Sequence, residues 1–356
     1  MKGKFYIGIL AVLLLLAGCD KADVGHGEND GKGYPVSFTL AELRATRAVD
    51  GEPEDLQAGT ALTIAAYNPN SGKLVAARQY KVNSTADGLE LDGSITDNEP
   101  MYLPVGTYDF CAMTPVQTLT GEGQHGTVAQ GTDALGSVTR AQMGADATTI
   151  LLNNLDHLAS QISFTVQVVK QEVDSVVSFA VQSIEIEGIV KATTDNYLLP
   201  ENKLVIPAIE ETDRFEKLTI DGSDAFTAGG KGNGSGPGYI NTQKTPLVVF
   251  PKAESTFKAV ITVAVKKKVK QEDGTIADGE EETITLNAKI NRLAFDPGKR
   301  YNFEVNYGWD YVRFDITVAP WTTVTDNSTT GSGEQTVSHT IKINQWDDDI
   351  DLDMTI

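Results

Sequence analysis

Apolar and polar residues alternate at a period of two through almost the whole chain of 356 residues. The segments 36–40, 301–307 and 314–318 each place apolar side chains at every second position. Further strand-like runs, separated by Gly, Pro, Asn and Asp, cover 62–67, 74–82, 161–169, 181–189, 247–250 and 256–269. Such alternation is typical of half-buried strands, and no long segment keeps a helical period. We therefore predict an all-β fold of antiparallel sandwiches, without crossover helices or a parallel sheet.

The charge pattern predicts that two of the strand-like segments pair with each other. The lysine-rich run 264–270 and the glutamate-rich run 280–285 flank a polar turn, so opposite charges would face each other across a hairpin. Such pairs contribute about 0.2–1 kcal/mol each. We interpret the lysines as a solvated sheet edge. A nucleic-acid partner is not expected, because the chain carries a net charge of -20.

The chain length predicts about two domains, each large enough to bury a core. We place the first body at residues 34–153 and the second at 154–321, with a short polar break at 153–158 between them. Residues 322–356 begin as a Ser/Thr/Gly/Asn-rich linker and end as a C-terminal tail.

The N-terminus has the pattern of an export signal. Two early lysines precede an apolar run at 5–16, which is too short to remain as a membrane span, and Leu-Ala-Gly-Cys follows. Small residues before a cysteine resemble the bacterial lipoprotein lipobox. This resemblance implies removal of residues 1–18 and lipidation of Cys19, with 19–33 as a flexible tether. Ordinary cleavage with Cys19 as a bystander is the alternative.

Residues suited to catalysis or metal binding are scattered. Cys111 would be the only thiol left after lipidation, so it cannot form an internal disulfide, and we predict a buried, inert side chain. The four histidines, which show no metal-ligand spacing, are His26, His125, His157 and His339. The Asp156-His157 pair is more typical of a structural contact than of acid–base chemistry. We predict no enzyme activity, no catalytic residue, no metal and no cofactor.

The tail ends on a strand-like segment whose apolar residues share one parity: Ile350, Leu352, Met354 and Ile356. Burying four such side chains would yield on the order of 6–12 kcal/mol before ordering costs. The tail could fold back as the last strand of its own second domain, or add to a groove in another molecule. The earlier alternating segment 337–343 and the final segment could also divide these roles.

Three segments resemble the fimbrillin family, the subunits of type V pili: 102–110, 155–164, and 297–303 leading to 318–321. Together with the lipobox, this likeness covers most of the chain. It implies two tandem transthyretin-like antiparallel β-sandwich domains. It also implies export as an outer-membrane lipoprotein and assembly into a cell-surface fimbrium, by strand exchange, after a trypsin-like protease removes the first strand. The expected partners are other pilus subunits, identical or paralogous.

The resemblance gives roles to particular residues. Arg44 and Arg47 follow the first strand, and we expect cleavage after one of them, with Arg47 preferred because Ala48 follows it. The displaced strand would carry Val36, Phe38 and Leu40. The donor strand of a neighbouring copy would fill the vacated groove with Ile350, Leu352, Met354 and Ile356.

Two other functions stay open on the residues alone. One is a monomeric surface lipoprotein that binds glycan or host protein as an adhesin, with Tyr307, Trp309 and Tyr311 as stacking candidates, although the parity of Tyr307 also fits a core position. The other is a hydrolase that depends on a single polar residue.

Overall fold

The protein is described here from a computed structural model, which describes residues 33–40, 56–85, 88–205, 214–227, 229–231, 237–308, 312–320 and 337–343. These residues form strands and short 3-10 turns, without an α-helix, as the alternation predicts. Within these ranges, no helix has the length and apolar character needed to cross a membrane.

The strands are numbered here in chain order. The first half of the molecule contains β1 (Tyr34–Leu40), β2 (Ala61–Tyr67), β3 (Leu74–Val82), β4 (Leu89–Leu91), β5 (Met101–Leu103), β6 (Gly106–Thr114), β7 (His125–Gly126), β8 (Leu135–Met143), β9 (Thr148–Leu152) and β10 (Asp156–His157). The second half contains β11 (Ser160–Val168), β12 (Val176–Val190), β13 (Tyr197–Leu198), β14 (Lys203–Leu204), β15 (Phe215–Asp221), β16 (Phe226–Thr227), β17 (Gly238–Gln243), β18 (Leu247–Val249), β19 (Lys252–Lys270), β20 (Ile276–Phe295), β21 (Lys299–Tyr307), β22 (Val312–Pro320) and β23 (Val337–Ile343).

Each half packs two sheets around one hydrophobic core. In the first half, the sheet β5-β1-β9 faces the sheet β10-β8-β6-β2-β3-β4, and both bury one face in the same cluster. In the second half, the sheet β16-β17-β11-β21-β22-β23 faces the sheet β15-β12-β19-β20. Strand β18 also pairs with β11. Alternating side chains thus point into a core from both layers, which is the arrangement of a β-sandwich.

The two halves repeat one strand order. In each half, the first strand lies between a strand that it meets antiparallel and a late strand that it meets parallel: β1 between β5 and β9, and β11 between β17 and β21. The prediction of antiparallel sheets is therefore corrected for these two pairs. A parallel pair needs a long crossover connection. Here the intervening strands provide it, so no helix is required.

The charged hairpin forms as predicted between β19 and β20. Lys266 lies opposite Glu281 and Lys268 lies opposite Asp278. Lys267 Nζ is 3.9 Å from Glu282 Oε2. The lysine-rich run is therefore one strand of a charge-matched pair.

The break at 153–158 lies against the protein body. Leu155 and Leu158 are buried, and β10 adds to the edge of the first half by pairing with β8. From the second half, β13 pairs with β7 of the first. The side chain of Asn196 accepts a hydrogen bond from Val128 N and donates one to Val128 O, each at 2.8 Å. These contacts, with a small apolar cluster, define a seam between the halves. The domain bounds at 34–153 and 154–321 stay a prediction.

Candidate functional site

The place of β1 between β5 and β9, called here the first-strand slot, is the candidate site. Five residues of β1, from Val36 to Leu40, align parallel with β9. Three residues, from Tyr34 to Val36, align antiparallel with β5. β1 is thus the central strand of its sheet, and its removal would leave unpaired edges on both neighbours.

The inward face of β1 carries the three side chains predicted for the first strand. Val36, Phe38 and Leu40 are 5%, 2% and 8% exposed and belong to the core of the first half. The Phe38 ring makes edge-on contacts with Tyr80 and Phe110, at 5.2 and 5.4 Å between centroids. Such aromatic contacts add to the stabilisation from buried area. The slot is therefore shaped around an aromatic side chain at its middle position.

The burial of the inward side chains of β1 sets the scale of the stabilisation that this strand provides. A large apolar side chain that leaves water stabilises the fold by about 1.5–3 kcal/mol. The three inward side chains of β1 therefore contribute on the order of 5–9 kcal/mol before ordering costs. An empty slot would destabilise the first half by a comparable amount, unless another strand filled it.

The outward face of β1 is bound more weakly. Ser37 Oγ and Thr149 Oγ1 on β9 are 2.7 Å apart, in an exposed hydrogen bond. Pro35, which pairs with Tyr102, has no N–H to donate to a neighbouring strand. The anchoring of β1 thus depends mainly on its buried face.

Several predicted site residues lie outside the described residues. They are the lipidation candidate Cys19, the processing candidates Arg44 and Arg47, and the donor-strand residues Ile350, Leu352, Met354 and Ile356. Their roles stay predictions. Of the predicted site residues, the structure describes Val36, Phe38 and Leu40, the three inward side chains of β1.

The earlier segment of the tail has a position in the fold. β23 pairs antiparallel with β22, from Val312 opposite Ile343 to Val318 opposite Val337. This segment of the chain folds back on its own second half, which is one of the two alternatives left open by the sequence.

Cys111 occupies the seam and matches its predicted character. Its side chain is 1% exposed, and the thiol donates a hydrogen bond to the Leu199 carbonyl at 2.8 Å. Burial raises the pKa of the Cys111 thiol to about 12, so the thiol stays protonated at neutral pH. A protonated, enclosed thiol is a poor nucleophile.

The histidine singled out in the sequence also has a structural contact. His157 is buried, and its Nδ1 lies 2.7 Å from Asp133 Oδ1, while its sequence neighbour Asp156 is exposed. The pair ties the connection between the halves to the first half. No group of three or more His, Cys, Asp or Glu residues in the described ranges is placed to hold a metal ion.

Lys252 is a buried cation that the sequence did not reveal. Its Nζ donates to Ser255 Oγ at 3.1 Å and to the Thr256 carbonyl at 3.4 Å, and it lies 5.0 Å from the centroid of the Phe295 ring. Burial lowers the pKa of Lys252 to about 7. Pairing irregularities between β19 and β20 follow this residue, so simple parity could not assign its inward direction.

The aromatic residues considered for glycan stacking do not form an exposed platform in the described residues. Tyr307 is 1% exposed and belongs to the core of the second half. Trp309 and Tyr311 lie outside the described residues.

Taken together, the sheets, the cores and the slot define an all-β scaffold whose first strand is the centre of a sheet. The family model described as fimbrillin-like matches residues 46–321, and the chain belongs to that family. The match supports a pilus- or adhesin-type protein of the cell surface, in a family of structural proteins. The matched range begins after β1 and next to Arg47.

A solved structure shares the fold. A crystal structure of a fimbrial protein from Bacteroides vulgatus superposes with a TM-score of 0.56 at 14% identity, over 81% of this chain and 99% of that chain. Proteins assigned provisionally to cell adhesion, from Bacteroides fragilis and Bacteroides uniformis, give TM-scores of 0.48 at 15% and 14% identity. They cover 89% and 82% of this chain, and 99% of their own chains. None of the curated protein sequences matches the chain.

Proposed function

We propose that this chain is a structural subunit of a cell-surface pilus, exported as a lipoprotein, cleaved after an arginine and polymerised by donor-strand exchange. The family match and one geometric observation support the proposal. β1 fills the centre of a sheet, and its C-terminal connection to the body runs through residues 41–55, where Arg44 and Arg47 lie.

A cut in this connection would convert a stable strand into a replaceable one. Before the cut, β1 is held at high effective concentration because it is part of the same chain. After the cut, β1 is a short peptide held by three buried side chains and the ladder bonds of one sheet. A competing strand with more apolar residues could then displace it.

The slot accepts a strand in either direction. β5 and β9 run in opposite directions on its two sides, so any occupant meets one neighbour parallel and the other antiparallel. The final segment 350–356 offers four apolar side chains at the period-two spacing that β1 uses for three. We assign this segment as the donor, and the aspartates between its apolar residues would face solvent and discourage wrong pairings.

Cleavage after Arg47 would have a second effect. Cys19, the proposed lipid site, lies on the same side of the cut as β1. One cut would therefore free the body from its lipid and make the slot replaceable. In this account, a subunit becomes competent for assembly only when it leaves its membrane anchor.

The processing step is tested by changing Arg44 and Arg47 together to alanine and measuring the mass and the N-terminus of surface-extracted protein. The proposal predicts a chain that keeps its lipidated N-terminus and forms no polymer. Arg292→Ala, at an exposed arginine of the second half, is the matched control and should leave the mass of the mature N-terminal region and the polymer ladder unchanged. A double variant that still begins at Ala48 and still polymerises would contradict the proposal.

A further inference from the structure

β20 forms an edge of the four-stranded sheet in the second half. In the part of the chain that the structure describes, it pairs with β19 on one side and with no strand on the other. An edge strand presents unpaired N–H and C=O groups, and proteins usually protect such edges with proline, charges or bulges. The segment 283–290 contains no proline and a single charged residue, and its register with β19 is regular. This part of the edge can therefore accept another strand.

The two faces of this segment differ in exposure. Ile284 and Leu286 are directed to the core, where Leu286 is 2% exposed and Ile284 is only partly buried. Thr283, Thr285 and Asn287 lie on the exposed face. A strand added to the edge would cover the remaining apolar surface of Ile284, which favours the addition.

The charges on the exposed face favour a partner strand that carries a carboxylate. Glu187, Lys258 and Lys289 lie side by side on β12, β19 and β20. The two lysines are like charges at directly opposite positions, which is destabilising, and Glu187 Oε2 lies 3.5 Å from Lys258 Nζ on the far side. A carboxylate beyond the edge would balance Lys289 in the same way. β20 itself carries a suitable one at Glu281, which is exposed and lies opposite Lys266.

We propose that β20 pairs antiparallel with β20 of a second copy of this chain, about a twofold axis at Thr285. In this register, Glu281 of each copy lies opposite Lys289 of the other, and Thr285 lies opposite its own counterpart. Ile284 of each copy lies opposite Leu286 of the other, so the apolar face also continues across the contact. Opposite charges and Thr–Thr pairs at directly opposite positions stabilise antiparallel sheets. The two four-stranded sheets become one continuous sheet.

Displacing the twofold axis by one residue removes this match. An axis at Ile284 would place Glu282 opposite Leu286, on the face that is directed to the core. An axis at Leu286 would place Lys289 opposite Thr283, which offers no carboxylate. Charge, hydroxyl and apolar positions thus agree on one partner and one register.

This inference goes beyond the proposed pilus function. β20 lies in the second half of the molecule, whereas the first-strand slot lies in the first half. A chain that cannot be cleaved should still form the twofold pair, and a chain with an altered β20 edge should still polymerise by strand exchange. The two proposals can therefore fail separately.

The test places a cysteine on the proposed twofold axis of the full-length, uncleaved chain. Two cysteines at position 285 would have Cα atoms about 4.5–5.5 Å apart, a separation that a disulfide spans. We expect Thr285→Cys to form a covalent dimer under mild oxidation, which non-reducing gels detect. A Thr285→Cys chain that stays monomeric would overturn the proposal.

Thr283→Cys is the matched control, because it changes the same residue type on the same face of the strand. In the proposed register its two copies would lie four residues apart along the strands, about 14 Å, so it should form no dimer of its own. Both variants keep Cys19 and the buried Cys111, so a dimer through either thiol would appear in the control as well. Equal amounts of dimer from the two variants would contradict the twofold register.

A charge reversal tests the partner's chemistry separately. Added to Thr285→Cys, Lys289→Glu should slow dimer formation about 10-fold or more, because both opposite-charge pairs of the dimer become repulsive. Glu281→Lys in the same chain should restore the rate, because it reverses the other member of each pair. Thermal unfolding midpoints near that of the unchanged chain would show that the variants are folded. A rate that Lys289→Glu leaves unchanged, or that Glu281→Lys does not restore, would overturn the proposal.

Discussion

Phe38 is the residue on which the first-strand slot is centred. Its ring is 2% exposed and contacts Tyr80 and Phe110 on the facing sheet. We expect Phe38→Ala to lower the free energy of unfolding of the uncleaved chain by about 3–5 kcal/mol, because it removes the ring and leaves a cavity. Urea unfolding measures this loss. Ser37→Ala, on the exposed face of the same strand, should cost less than about 1 kcal/mol, and equal losses would contradict the account.

Lys252 makes the stability of the second half depend on pH. Its pKa in the folded chain is about 7, below the ordinary value of 10.5. Between these pH values the unfolded chain holds the proton that the folded chain has lost, so stability rises as the pH rises. Below about pH 7 both states are protonated, and the full cost of burying the charge is present.

We therefore expect Lys252→Met to stabilise the chain at pH 6 by on the order of 2 kcal/mol and to flatten the rise between pH 7 and 9. Urea unfolding at several pH values measures both effects. Lys203→Met, at an exposed lysine, should leave the rise in place. If the rise in stability between pH 7 and 9 persists in the Lys252→Met variant, groups other than Lys252 cause it.

β1 is the element on which the mechanism depends, and a disulfide can hold it in place. The Ser37 and Thr149 hydroxyl oxygens are 2.7 Å apart, so cysteines at both positions are close enough to be linked after a small adjustment. We expect the Ser37→Cys, Thr149→Cys variant to be cleaved normally but to retain β1 and form no polymer until a reductant is added. Non-reducing gels and mass spectrometry follow both steps.

Ser37→Cys alone is the control for this experiment, because it alters the same face and cannot form the link. It should polymerise as the unchanged chain does. Polymers that form while the disulfide is intact would show that β1 does not have to leave the slot.

The donor segment is tested by changing its two faces separately. Leu352→Asp places a charge on the face assigned to the slot and should abolish the polymer ladder, because a buried unpaired charge is costly. Asp353→Asn changes the opposite face by a similar volume and should leave the ladder intact. A ladder that survives Leu352→Asp would remove the donor role from this segment.

The elements were predictable from the sequence because alternation is a local signal. The runs 36–40 and 301–307 lie in strands, the run 161–169 does so up to Val168, and the charge pattern correctly paired β19 with β20. The parallel partner of β1 was not predictable, because it lies far along the chain and nothing in either strand specifies it. The inward direction of Lys252 was also missed, since pairing irregularities between β19 and β20 shift side-chain parity there.

At the scale of the whole molecule, the slot and β23 lie in different halves. The slot belongs to the first half, while β23 continues the large sheet of the second half. A donor that leaves the second half of one copy and enters the first half of the next makes a head-to-tail contact, which generates an open filament if its rotation does not close. The seam contains the buried Cys111 and the hydrogen bonds of Asn196. It connects the half that holds the slot to the half that holds β23.

The most direct measurement is the structure of the assembled polymer by electron cryomicroscopy. The account predicts that residues 350–356 of one copy lie between β5 and β9 of the next, with Val36, Phe38 and Leu40 absent from that copy. A polymer in which β1 still occupies its own slot, or in which 350–356 docks within its own chain, would contradict it.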